Sequence, residues 1–331
     1  AWYINLSGCK SGSGVVFSHL GNWLNQTFGK KTGKELLPLM KDFYLLSHIR
    51  KPEFMGNTRT YDKRHEQIAD LPWSTEEINE RLEQFKKLSD RVEKLYATVP
   101  SNRKDAYFEM IQYPVQASNE MNKKMLYAQF ARHTPSDSAS LWKKSDAAYD
   151  SIVSLTRRFN SLLDGKWNHI ISTAPRGLIV FDKVKRTASS TALVSSPAPL
   201  QLWNGTEHDA VTGQHTVIDG LGHSGKAIYL GKGGTVEYEY RNFRKDSLTV
   251  EVCLVPTHAV EGGKLRFAVS TDDREPQVFD CETAEYSEEW KVNILRAQAV
   301  KSARFPSGGR KGRIKITALD EGVVIDQIRL R

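Results

Sequence analysis

Gly220-Leu221-Gly222-His223-Ser224-Gly225 has the glycine spacing with which a strand-to-helix turn holds a dinucleotide pyrophosphate. That chemistry needs a helix directly after the loop, because the helix amino terminus supplies the N–H donors and the positive dipole end. The next residues, Lys226-Ala227-Ile228-Tyr229-Leu230, read as a strand instead. The loop is therefore expected to be a hairpin turn, and no cofactor is expected. Asp272-Asp273, followed by Glu275-Pro276, is a second candidate. Two carboxylates cleave a glycosidic bond only when held about 5–10 Å apart across a cleft. Neighbours on a turn tip are first of all turn formers, with calcium binding as the alternative. The nine histidines include no His-Glu-x-x-His helix, and His208, His215 and His223 fall on separate turns and a strand, a weak basis for a metal site. No Gly-x-Ser-x-Gly elbow or phosphate loop is present. No catalytic, cofactor-binding or metal-ligating residue is assigned.

Aromatic rings offer a different chemistry, stacking on sugars. Trp203, Tyr238, Tyr240, Tyr286 and Trp290 lie in the second half of the chain. A β-sandwich core absorbs such rings routinely, so burial is the first expectation for each. Trp203, Tyr286 and Trp290 are retained as carbohydrate contacts, and Trp203, beside Asn204-Gly205-Thr206, is the one expected nearest the surface. The three cysteines, Cys9, Cys253 and Cys281, make neither a disulfide framework nor a zinc pattern. Cys253 sits in an apolar run and reads as a small core residue, and a Cys253–Cys281 bridge stays open.

The elements that would position these residues change character near residue 170. Ile78, Leu82, Phe85, Leu88, Val92, Leu95 and Val99 recur every three or four residues, which predicts one amphipathic helix. Ser74 is placed to cap it, with Glu77 three residues on to bond back. Helices are also predicted from Val16 to Gly29, from Thr32 to about Ile49, around 107–130 with a kink at Pro114, and over 139–163. Beyond Asp164-Gly165, short β-branched runs at 178–181, 215–218, 227–230, 235–240, 247–255, 265–270, 291–295, 313–318 and 323–328 read as strands between turn clusters. The expected organisation is an α-helical bundle over 1–172, a connection over 173–199 rich in Ser, Ala and Pro, and an antiparallel β-sandwich over 200–331.

The net charge of +8 raises the question of a polyanionic partner. The basic residues are spread as doublets, Lys30-Lys31, Lys86-Lys87, Lys123-Lys124, Lys143-Lys144 and Arg157-Arg158, interleaved with acids. They read as solvated helix faces with at most a weak attraction to an acidic sugar polymer. Neither a dense basic stripe nor a nucleic-acid module is present, so no nucleic acid is expected. No apolar run nears the roughly 20 residues needed to cross a bilayer, so no membrane is expected.

Several segments, in order, resemble glycoside hydrolase family 115, the xylan α-1,2-glucuronidases. In the helical half they are Ile49-Arg50-Lys51-Pro52-Glu53-Phe54, Tyr113-Pro114-Val115-Gln116-Ala117-Ser118 and Asp164-Gly165-Lys166-Trp167-Asn168-His169. In the strand half they are Leu265-Arg266-Phe267-Ala268-Val269-Ser270, the Asp272-Asp273 turn and Gly322-Val323-Val324-Ile325-Asp326-Gln327-Ile328. The resemblance implies a helical domain and a sandwich that follow a catalytic (β/α)8 barrel, with the catalytic carboxylates in that barrel. A barrel takes about 250 residues of β/α alternation, which this chain does not show. The chain is thus expected to be the non-catalytic carboxyl-terminal portion of such an enzyme, inactive alone. Its expected partners are a second copy of the chain and acidic xylan, and the resemblance implies a periplasmic or extracellular setting. The alternative is a free-standing carbohydrate-binding or protein-interaction module. Two stretches depart from the family's pattern: Ser7-Gly8-Cys9-Lys10-Ser11-Gly12 at the start, and Ile171-Ser172-Thr173-Ala174-Pro175-Arg176-Gly177, where the family has a His-x-Gly-Tyr stretch.

Overall fold

The computed structural model describes residues 12–56, 68–189, 192–196, 198–241, 246–272 and 274–331. The chain divides into two compact units, Ala1–Pro197 and Ala198–Arg331. The first is helical and the second is built of antiparallel strands.

In the helical unit, α1 (Gly12–Phe28) and α2 (Lys30–Ile49) are separated at Gly29, whose φ of 90° an L side chain would resist. α3 (Thr75–Tyr96) starts at a full capping box: the Glu77 N–H donates to the Ser74 hydroxyl, and the Ser74 N–H donates to the Glu77 carboxylate at 2.8 Å. Its inward stripe of Ile78, Phe85, Leu88, Val92 and Leu95 is buried. α4 (Lys104–Tyr107) continues through a π turn at Phe108–Gln112 into α5 (Tyr113–His133), which pairs with α6 (Ser138–Gly165). The predicted kink at Pro114 is realised as this π turn. The proline ring lacks an N–H and crowds the carbonyl four residues back, and the wider turn relieves both.

Two charged residues lie inside this unit. Arg81 occupies the α3 stripe itself, donating to Asn122 Oδ1 and to the Leu46 and Arg50 carbonyls while its guanidinium stacks on Trp73 and Phe85. Lys124, which its doublet assigned to a solvated face, is 0% exposed. Its ammonium donates to the Val180 and Asp182 carbonyls at 2.7 and 2.9 Å.

Those carbonyls belong to the segment after α6, which folds back onto the helices. Val180 and Val184 share a core with Met121, Met125, Leu126 and Trp142. The Thr75 N–H donates to the Val194 carbonyl, and the Glu76 carboxylate accepts from the Ser196 N–H and the Ser195 hydroxyl. The Ser196 N–H is the main reason the Glu76 carboxyl is held down at about 2. The strand predicted over 178–181 is instead a 3-10 turn, Ile179–Phe181. Its β-branched residues are used for packing on helices, with no neighbouring strand among the described residues to pair.

The second unit contains β1 (Gln201–Asn204), β2 (Ala210–Thr212), β3 (His215–Asp219), β4 (Lys226–Leu230), β5 (Thr235–Tyr240), β6 (Ser247–Leu254), β7 (Lys264–Thr271), β8 (Gln277–Glu282), α7 (Glu288–Arg296), β9 (Ala299–Pro306), β10 (Gly312–Ala318) and β11 (Val323–Leu330). One sheet has the order β3-β4-β11-β6-β9 with β1 also beside β11, and the other β2-β5-β10-β7-β8. Side chains alternate across the pleat, so β5 turns Val236, Tyr238 and Tyr240 inward and Glu237 and Glu239 outward. The enclosed core joins these to Val250, Val252, Phe267, Val269, Ile314, Ile316, Ile325 and Ile328. The predicted strand over 291–295 is a correction: these residues lie in α7, whose Ser287 hydroxyl accepts from the Trp290 N–H and whose first turn carries Glu288 and Glu289.

Candidate functional site

The glycine loop is a hairpin turn, as the strand after it predicted. Asp219 pairs with Lys226, and the Gly220 N–H donates to the Gly225 carbonyl. The loop is nevertheless anchored by a buried carboxylate. β11 is bulged between Ile325 and Gln327, which turns Asp326 inward to 0% exposure. Asp326 Oδ1 accepts from the His223 N–H at 2.8 Å, and Oδ2 meets His223 Nδ1 at 2.8 Å and Gln298 Nε2 at 2.6 Å. A Cβ on Gly222 would sit 2.3 Å from Asp326 Oδ1, so the approach requires glycine there. Of the three histidines considered together, the structure commits His223 to this carboxylate and His215 Nδ1 to the Gly213 carbonyl. Among the described residues no group of three His, Cys, Asp or Glu side chains converges on a metal position.

Asp272 has a φ of 50° at the end of β7. Its Oδ2 accepts from the Tyr240 hydroxyl at 2.9 Å and its Oδ1 from the Arg313 N–H at 2.8 Å. Desolvation, together with that carboxylate, pushes the Tyr240 phenol up to about 12. Asp273 lies outside the described residues, as does Cys9. Cys253 and Cys281 are free, buried thiols on different sheets, pushed up by burial to about 12 and about 11.

The aromatic candidates separate into two places. Trp203 on β1 is half-buried against the core, its ring 6.1 Å from that of Tyr238. Tyr286 is 77% exposed and adopts φ 68°, a left-handed conformation that costs a bulky residue about 1–2 kcal/mol. Its ring lies 6.1 Å from Trp290, which lies 6.3 Å from His258. Tyr286 and Trp290 thus form an aromatic ledge at the start of α7, and Trp203 is not in contact with them by any ring pairing described. The ledge's third ring, His258, was missed in the sequence because it comes from the loop after β6, about thirty residues away.

Residues 206–331 match the glycosyl hydrolase family 115 C-terminal domain. The chain carries a family 115 carboxyl-terminal domain. The family likeness extends into the helical unit: a 4-O-methyl-α-glucuronidase of family 115, BtGH115A, with specificity for decorated arabinogalactans, is similar over 97% of this chain at 44% identity and a TM-score of 0.83. The chain spans 42% of that enzyme's length. An exo-β-1,3-galactanase from Phanerochaete chrysosporium, solved with galactose, is similar over 40% of this chain and 29% of its own, at 16% identity and a TM-score of 0.32. A family 35 carbohydrate binding module from Clostridium thermocellum is similar over 40% of this chain and 98% of its own, at 10% identity and a TM-score of 0.31. At such scores neither likeness carries an argument. No curated protein matches the chain. No helix among the described residues is long and apolar enough to cross a membrane.

Proposed function

We propose that this family 115 chain is the non-catalytic carboxyl-terminal portion of an α-glucuronidase that releases glucuronic or 4-O-methylglucuronic acid from side chains of xylan or a related polysaccharide. The helical unit and sandwich support the catalytic domain and contribute to a homodimer. The observation that carries this reading is the similarity, at 44% identity over 97% of the chain, to a portion of a 4-O-methyl-α-glucuronidase. The state of two carboxylates of the sandwich supports it. Asp326 is engaged by His223 and Gln298, and Asp272 by Tyr240 and Arg313. Both hold turns in place, whereas glycosidic hydrolysis needs two carboxyl groups facing each other across the scissile bond. The purified chain, incubated with 4-O-methylglucuronoxylan and with glucuronidated arabinogalactan, is expected to release no uronic acid. Turnover by the chain alone refutes the reading.

A second reading, carbohydrate contact by the sandwich, is favoured by the exposed Tyr286 ring on its strained backbone beside Trp290. Backbone strain held on an exposed aromatic is a feature that functional sites accumulate. Acidic xylo-oligosaccharides are then expected to quench Trp290 fluorescence in wild type and not in Tyr286→Ala. Trp203, already packed on Tyr238, is expected to respond less, and an unquenched spectrum at millimolar sugar removes this reading.

A further inference from the structure

The outward face of the β2-β5-β10-β7-β8 sheet carries a groove of about 600 Å3 floored by β5, β10 and β7. Its floor alternates in sign. On β10, Arg313 stands opposite Glu239 and Lys315 opposite Glu237, while Lys315 stands opposite Ser270 of β7 on its other side. Arg313 pairs with Glu237 at 3.1 Å and Arg241 with Glu239 at 3.1 Å. Lys311 and Lys315 line the same groove, are exposed, and have no carboxylate partner among the described residues.

One rim of the groove is fixed in advance. The Asp272 carboxylate, clamped by the Tyr240 hydroxyl and the Arg313 N–H, is packed against two glycines. A Cβ on Gly312 would lie 2.3 Å from its Oδ1, and one on Gly308 would lie 2.6 Å from its Oδ2. Asp272, directly after β7, and the loop before β10 are therefore locked together without a ligand, and little ordering of this rim remains to be done on binding.

We propose that this groove binds a glycan chain bearing widely spaced uronic acid carboxylates. The choice of polymer rests on the proposed function, while the site rests on the groove. The two uncommitted ammonium groups donate charge-assisted bonds to a ligand carboxylate. Glu237, Glu239 and Asp272 offer acceptors to sugar hydroxyls, which are donors that a bare polyanion lacks. A nucleic acid, with one charge every 1.7 Å or so, would bring its phosphates against these three carboxylates. The mixed lining thus selects a hydroxyl-rich polymer with isolated negative charges. This site is separate in sequence from the Tyr286–Trp290 ledge and does not depend on it.

The test is affinity electrophoresis of the whole chain through 4-O-methylglucuronoxylan, neutral arabinoxylan and polygalacturonate, with Lys311→Gln/Lys315→Gln beside wild type. Retardation by glucuronoxylan is expected to weaken about tenfold in the double variant, with Tm unchanged, because two exposed charge pairs are lost. Lys311→Arg/Lys315→Arg, which keeps both charges, is expected to stay close to wild type. Arabinoxylan is expected to treat wild type and double variant alike. Equal retardation of wild type and the double variant by glucuronoxylan overturns the site. So does polygalacturonate binding as tightly with the same sensitivity, since that would be charge attraction alone. Uronic acid release by the chain would sink the non-catalytic reading and leave the groove standing, and loss of groove binding would do the reverse.

Discussion

Lys124 makes the stability of the helical unit depend on pH in a direction that can be worked out beforehand. The ammonium is fully buried, and desolvation pushes it down to about 7, partly opposed by the charge of Asp182. In the unfolded chain the group returns to its ordinary value of about 10.4. Between these values the unfolded state holds the proton and the folded state does not, so stability rises with pH across that window. Below pH 6 both states are protonated and the dependence vanishes. The linkage relation gives a rise of about 2 kcal/mol between pH 7 and pH 9 from this one group. Lys124→Met keeps the length of the side chain, removes the titration, and leaves the Val180 and Asp182 carbonyls without their donor, at about 1–3 kcal/mol each. Urea unfolding of both proteins at pH 6, 7, 8 and 9 separates the effect from every other titrating group, because only the difference between them is read. Wild type is expected to gain on the variant as pH rises. Two curves that run parallel across the range would refute the buried, proton-shedding lysine.

Other substitutions probe the sandwich. Asp326→Ala strips the His223 turn and Gln298 of their common acceptor and is expected to destabilise this unit by about 3 kcal/mol, read by thermal unfolding. Gly205→Ala is expected to prevent correct pairing of β1, since its Cβ would lie 2.2 Å from the Ile325 carbonyl oxygen; loss of the cooperative transition checks this. In a Cys9→Ser background, Cys253 and Cys281 are expected to resist a thiol reagent at pH 8 until denaturant is added, because burial keeps both thiols protonated and covered.

Where the sequence spoke clearly, it did so through chemistry local to an element. The α3 stripe and the Ser74/Glu77 box are short-range features and stand as read. β4, β5, β10 and β11 announce themselves by β-branched runs between turns. α7 misleads because Trp290, Val292 and Ile294 alternate like a strand, while the informative signal, Ser287 followed by two glutamates, sits just outside the apolar pattern. β9 escaped notice because Lys301 and Arg304 interrupt it and Pro306 ends it, and β1 and β2 are too short to show a period. Arg81 and Lys124 are of types that sit on surfaces by default, and their burial depends on carbonyls supplied by Leu46, Arg50, Val180 and Asp182, distant in the chain. The groove was illegible for the same reason: Glu237, Asp272, Lys311 and Lys315 become neighbours only through the register of three strands.

β11 pairs with β4 at its start, with β1 at its end, and with β6 along its other edge. It comes after all three in the chain. Until it has been synthesised, β1 has no hydrogen-bonded neighbour and β4 and β6 each keep an open edge in the middle of what will be a continuous layer. The helices α1 to α6 all precede β1 in the chain. Assembly is thereby biased toward helices first and sandwich last, and a nascent chain paused between β10 and β11 would present unpaired edges to whatever it met.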